Sequence, residues 1–113
     1  MKEYLLTYRT DYKAMPQMSP EEMQANTQKW MNWIAGVAAE GKLAAQGNRL
    51  MPDGKVLKGN GVVSDGPYAE IKESIMGYSI VKADSYDAAV EIAGGCPILN
   101  QGGNVEVREI NPM

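Results

Sequence analysis

The residues able to do chemistry in this chain are carboxylates, lysines, arginines, tyrosines and a single thiol, because there is no histidine. Asp65 stands in Val62-Val63-Ser64-Asp65-Gly66-Pro67-Tyr68. A carboxylate fixed beside a Gly-Pro turn could accept hydrogen bonds or take a proton as general base. Asp also opens turns by bonding its own backbone, and spacing alone leaves both readings open. Glu70, Lys72 and Glu73 follow at once, either as a solvated charged loop or with Glu70 or Glu73 set opposite an arginine to fix a polar ligand. Glu106 and Arg108 are two apart in a strand-like run and so share a face. Arg9 and Arg49 fall near the ends of two earlier extended segments. Arginines converging at a sheet end suit a carboxylate or phosphate, whose oxygens the guanidinium fork meets in pairs. The plainer alternative is a Glu–Arg cross-strand pair or a subunit contact. Tyr8 and Tyr78 are either pocket hydroxyls or core tyrosines with a satisfied OH. Cys96, ahead of a proline, reads as inert packing, and Gly102-Gly103 as a tight turn.

Absences narrow the chemistry further. Without histidine there is no Ser–His or Cys–His nucleophile, no His-dependent zinc site and no imidazole acid–base work. One cysteine allows no intrachain disulfide and no cysteine metal cluster. No EF-hand-like loop occurs, so neither metal nor cofactor is expected. Eleven basic against fourteen acidic residues give a net charge of −3. An acidic chain with no basic run and no Phe is a poor nucleic-acid binder, since that affinity rests on neutralising phosphates and stacking bases. No apolar run approaches the ~20 residues that span a bilayer, and the start lacks a secretory core. The expectation is a cytoplasmic protein with no membrane partner.

The elements that must position these residues are legible from pattern. Residues 3–9 read as a strand rich in Tyr, Leu and Thr. Ser19-Pro20-Glu21-Glu22 opens a helix with a capping serine, a proline at the first turn and a glutamate to close a capping box. Met23, Thr27, Trp30, Ile34 and Val37 then recur at spacings of three and four, a stripe expected to face the core, with Trp33 about 60° from its centre. Gly41 is placed to end this helix. Strands are expected over 43–50, 75–82 and 105–110, a small hairpin arm over 55–58 and 61–64, and a helix over 86–93 capped by Asp84 or Ser85 and stopped at Gly94-Gly95.

The order is β-α-β-(hairpin)-β-α-β in one α+β domain of 113 residues, the ferredoxin-like split βαβ. Two helices cover one face of such a sheet. The alternating sets Tyr4/Leu6/Tyr8 against Leu5/Thr7/Arg9, and Met76/Tyr78/Ile80 against Ile75/Gly77/Ser79/Val81, leave neither face wholly polar. A homodimer packing sheet to sheet would cover the remaining face.

Three blocks in order carry a family resemblance: Val62 to Glu70 with Lys72-Glu73; Ile75-Met76-Gly77-Tyr78; and Cys96-Pro97 with Gly102-Gly103-Asn104-Val105-Glu106-Val107-Arg108. The chain resembles the Asp-Gly-Pro-Phe branch of the YCII-related family over nearly its whole length. The resemblance implies a ferredoxin-like subunit pairing into a dimeric α/β barrel, and it adds weight to a pocket role for Asp65. Two departures matter. The Phe of the motif is Tyr68, and the His–Asp dyad attributed to relatives in the wider family has no histidine here. What remains is a dimer binding a small polar or anionic molecule, with Asp65 as an acid or base and Glu70, Tyr78 and Arg108 around the ligand. The alternative implied by the family is a non-catalytic accessory protein, since relatives are often encoded beside sigma factors. A cofactor-free monooxygenase on the same barrel finds little support in these residues.

Overall fold

The element order expected from the sequence is the order observed in the computed structural model, which describes residues 1–11, 17–66 and 74–112. Strands β1 (Lys2–Thr10), β2 (Leu43–Ala45), β5 (Ser74–Ala83) and β6 (Asn104–Glu109) form one antiparallel sheet in the order β2-β5-β1-β6. Helices α1 (Pro20–Ala39) and α2 (Tyr86–Ala93) lie on it, and β3 (Gly54–Leu57) with β4 (Val63–Gly66) makes a separate hairpin. This is a ferredoxin-like α+β fold.

The period-two pattern of β1 decides which face is covered. Tyr4, Leu6 and Tyr8 are buried beneath the helices together with Val81 and Ser79 of β5. Leu5, Thr7 and Arg9 turn the other way, in register with Ile80 and Tyr78 on one side and Arg108, Glu106 and Asn104 on the other. The molecule is only 18 Å thick along its shortest axis, 44 Å along the other two. A thickness of that size accommodates two layers of secondary structure. Its radius of gyration, 15.4 Å, exceeds the ~13 Å usual for this length, as expected of a thin body bearing a projecting arm.

Both halves of the predicted capping box are present: Glu22 N–H donates to Ser19 Oγ (3.1 Å) and Ser19 N–H to Glu22 Oε1 (3.2 Å). Gly41, at φ +72°, ends the helix as expected. Ser85, rather than Asp84, caps α2 by accepting from Ala88 N–H. The stripe on α1 behaves differently from the sequence reading. Val37 is buried, but Trp30 and Ile34 are half-buried and Met23 and Thr27 exposed. Trp33, off the stripe centre, ties the two helices together: its indole N–H donates to the Ile92 carbonyl (3.1 Å) and its ring lies against Gly95. Among the described residues no helix is long and apolar enough to cross a membrane.

The second strand is also shorter than the expected 43–50. The chain leaves the ladder after Ala45 and returns to β5 beyond a kink, where Tyr78 N–H donates to the Asn48 carbonyl (3.2 Å) and Arg49 bridges Gly77. Gly47 makes the kink at φ +75°. A Cβ there would lie 1.8 Å from the Tyr78 carbonyl oxygen, so both conformation and space require glycine.

Candidate functional cleft

The kinked segment and α1 stand apart, leaving a cleft of about 450 Å³ between the exposed part of the helix stripe and the β2–β5 edge. That volume is within the range of small-molecule sites. Met23, Thr27, Trp30 and Ile34, the residues expected to face a closed core, form its helical wall. Opposite stands Met76. Tyr8 pairs with Gly77 and Arg9 with Ile75, so Met76 is an extra residue in β5, a β-bulge. The bulge takes Met76 out of the Tyr78/Ile80 alternation and packs it against the helix-side core. Methionine adapts its shape and is polarisable, and with Met18 and Met31 it gives the cleft a compliant apolar wall.

The floor carries a directed hydrogen-bond chain. Tyr8 Oη donates to Ser79 Oγ (2.6 Å), and Ser79 Oγ donates to the Gln46 carbonyl (2.6 Å). The carbonyl can only accept, which fixes the direction of the chain. Burial pushes the Tyr8 hydroxyl well above the ordinary phenol value, opposed only in part by the bond to Ser79, so it stays protonated. The Tyr8 ring is held edge-on by Trp30 (centroids 4.9 Å apart) and Trp33 (6.1 Å). Gln101 Nε2 donates to Asn26 Oδ1, joining the segment after Pro97–Asn100 to α1 beside the cleft.

Arg49 is the single charged side chain among the described lining residues. It is exposed and has no carboxylate partner among the described residues. The cleft therefore has a neutral floor, largely apolar walls interrupted by Asn26, Thr27 and Gln101, and one positive charge at its rim. No group of three His, Cys, Asp or Glu suited to a metal ion occurs among the described residues. Such an arrangement is equipped to bind and orient a molecule.

The site residues named from sequence are dispersed. Tyr78 lines the cleft, with its hydroxyl accepting from Asn48 Nδ2 (3.4 Å). Asp65 lies on β4 of the arm, its side chain 89% exposed and ion-paired with Lys55. Arg108 is exposed on β6, at the sheet edge opposite β2, and does not line the cleft. Glu70 lies outside the described residues, as do Lys72, Glu73, Pro67 and Tyr68. Arg9 is not among the cleft-lining residues; it donates to Glu106 Oε1 (3.2 Å), the cross-strand pair weighed from sequence. That bond holds the Glu106 carboxyl below the usual glutamate value, with Thr7 assisting. Cys96 is fully buried, and burial pushes its thiol up to about 12. The cleft residues given no site role from the sequence include Asn26, Gln46, Met76 and Ser79. A polar Thr27 in the middle of an apolar stripe was the available sign that the stripe faces a cleft.

The family model for the YCII-related domain matches residues 1–113. No curated protein matches the chain.

Proposed function

The chain belongs to the YCII-related family, and from that footing we propose that it binds a small molecule in the cleft between α1 and the β2–β5 edge, acting as a homodimer. One observation carries the binding reading: a cavity of about 450 Å³ with apolar Met and Trp walls closes on a polar floor of Tyr8, Ser79 and Gln46. Cavities that combine apolar lining with a few placed polar groups are the usual form of ligand sites. The homodimer is supported by the helix-free sheet face, where Leu5 and Ile80 are only half-covered in the subunit. Burial of such side chains against a second sheet contributes roughly 25 cal/mol per Å² of apolar surface.

The binding reading is tested with N-phenyl-1-naphthylamine, an uncharged fluorescent probe, on wild type and on Thr27→Phe. Thr27 is exposed on the cleft wall, so phenylalanine there should plug the cavity without disturbing the core. Loss of most probe binding in the variant is expected; equal binding would place the probe elsewhere and refute the reading. Light scattering should give about twice the subunit mass of 12.3 kDa, and a monomer at micromolar concentration would remove the homodimer. A role for Asp65 as acid or base is a separate proposal, resting on the family motif, and no contact in the cleft supports it. Asp65→Asn should leave the probe affinity unchanged; a large loss would bring the arm into the site.

A further inference from the structure

The polar groups of the cleft differ in sign at its two ends, and that restricts what fits. At the floor, the hydroxyl proton of Tyr8 is committed to Ser79, and that of Ser79 to the Gln46 carbonyl. A phenol oxygen that has donated its proton still carries lone pairs, so the floor presents an acceptor and asks for a donor. Its depth makes this strict, because Tyr8 is 5% and Ser79 2% exposed, and a polar group brought there without a partner is penalised. At the rim, Arg49 offers a guanidinium with no carboxylate facing it among the described residues. Between them lie Trp30, Ile34 and Met76, suited to a flat apolar body.

We infer that the ligand is a flat amphipathic monoanion: a carboxylate or similar anion at Arg49, an aromatic or otherwise planar apolar body along Trp30 and Met76, and a hydroxyl or N–H at the far end donating to Tyr8 Oη. This rests on the cleft being a binding site, as proposed above. It goes further in assigning Arg49 to the anion and Tyr8 to the donor, and it disfavours cations and dianions. A cation would meet Arg49 with no counter-charge. A dianion would carry its second charge to the Tyr8–Ser79 floor, where both hydroxyl protons are already committed.

Three related probes separate the two anchors: 6-hydroxy-2-naphthoate has both groups, 2-naphthoate only the anion, and 2-naphthol only the donor. Affinities are read by calorimetry and by quenching of tryptophan fluorescence. The two-headed probe should bind about five- to tenfold more tightly than either single-headed one, as one hydrogen bond or rim ion pair predicts. Arg49→Gln should erase the advantage over 2-naphthol, and Tyr8→Phe the advantage over 2-naphthoate. Should Tyr8→Phe fold poorly, the wild-type ranking of the three probes still decides the donor assignment. If N-phenyl-1-naphthylamine occupies the cleft while the three naphthalenes bind equally, the ligand class is wrong and the binding site stands. If none of the four binds, the site itself is refuted.

Discussion

Replacing Trp33 with alanine should destabilise the protein more than replacing Trp30, although Trp30 lies nearer the centre of the helical stripe. Removing a large core aromatic typically costs about 3–5 kcal/mol, and partial exposure moves both residues towards the lower end. Trp33 makes edge-on contacts with Tyr8 at 6.1 Å and Trp30 at 6.0 Å, each worth about 0.5–1.5 kcal/mol beyond area. It also donates to the Ile92 carbonyl across the helix pair, roughly another 1 kcal/mol. Trp30 shares the contact with Trp33 and keeps a closer one with Tyr8, so ring contacts do not separate the two; but one side of Trp30 opens on the cleft, and its indole N–H meets no acceptor among the described residues. The expected losses are about 3–4 kcal/mol for Trp33→Ala and about 2–3 kcal/mol for Trp30→Ala. Trp33→Phe isolates the hydrogen bond. Since the Ile92 carbonyl also accepts from Gly95 N–H (3.2 Å), no orphan is left, and the loss should be only about 0.5–1.5 kcal/mol. Urea melts followed by circular dichroism, at one fixed protein concentration so that subunit association does not shift the midpoints, measure all three. If Trp30→Ala proves worse than Trp33→Ala by more than about 1 kcal/mol, Trp30 is closed core and the cleft geometry is wrong.

Cys96 should resist alkylation in the native state at pH 8, because its thiol is buried and held at about 12, and should react once urea unfolds the chain; rapid native labelling would contradict its burial. Glu106, whose folded pKa is lowered by Arg9, contributes stability that is present above the unfolded value and lost as pH falls through the folded one. Wild type should therefore weaken on acidification below about pH 4.5, and Glu106→Gln should show a shallower acid limb in thermal melts; an identical limb would mean that the pair is not formed in solution. Gly47→Ala should destabilise by more than about 2 kcal/mol in chemical denaturation, since its Cβ would lie 1.8 Å from the Tyr78 oxygen, and a near-neutral result would refute the kink.

The scaffold was legible because its determinants are local. Ser19 and Glu22 announce the capping box of α1 within four residues, and Tyr4, Leu6 and Tyr8 announce the buried face of β1 by simple alternation. The YCII-related motifs likewise run along short stretches. The cleft was less legible because it depends on two departures from regular pattern. Met76 has the same apolar character whether it sits in regular alternation or in a bulge, and only the pairing of Arg9 with Ile75 shows the extra residue. Apolar residues at spacings of three and four look the same whether the facing layer touches them or stands back, so the stripe of α1 reads as core in the sequence. Tyr8 and Tyr78 were both singled out with their two possible roles. The direction of the Tyr8 chain became clear only when Ser79 and the Gln46 carbonyl came together from segments 33 residues apart.

The bulge at Met76 also makes the cleft separable from the sheet that carries it. An extra residue confined to one strand leaves the alternation intact on both sides, so Ile75 still faces with Arg9 and Gly77 with Tyr8. Deleting Met76 would return β5 to an uninterrupted ladder without turning any neighbouring side chain to the opposite face. A chain shortened by that one residue should keep the fold and lose one wall of the cavity. Length variation at a single position would then act as an on–off element for this cleft within one architecture, and subunits of the same fold could differ in having it without otherwise being redesigned.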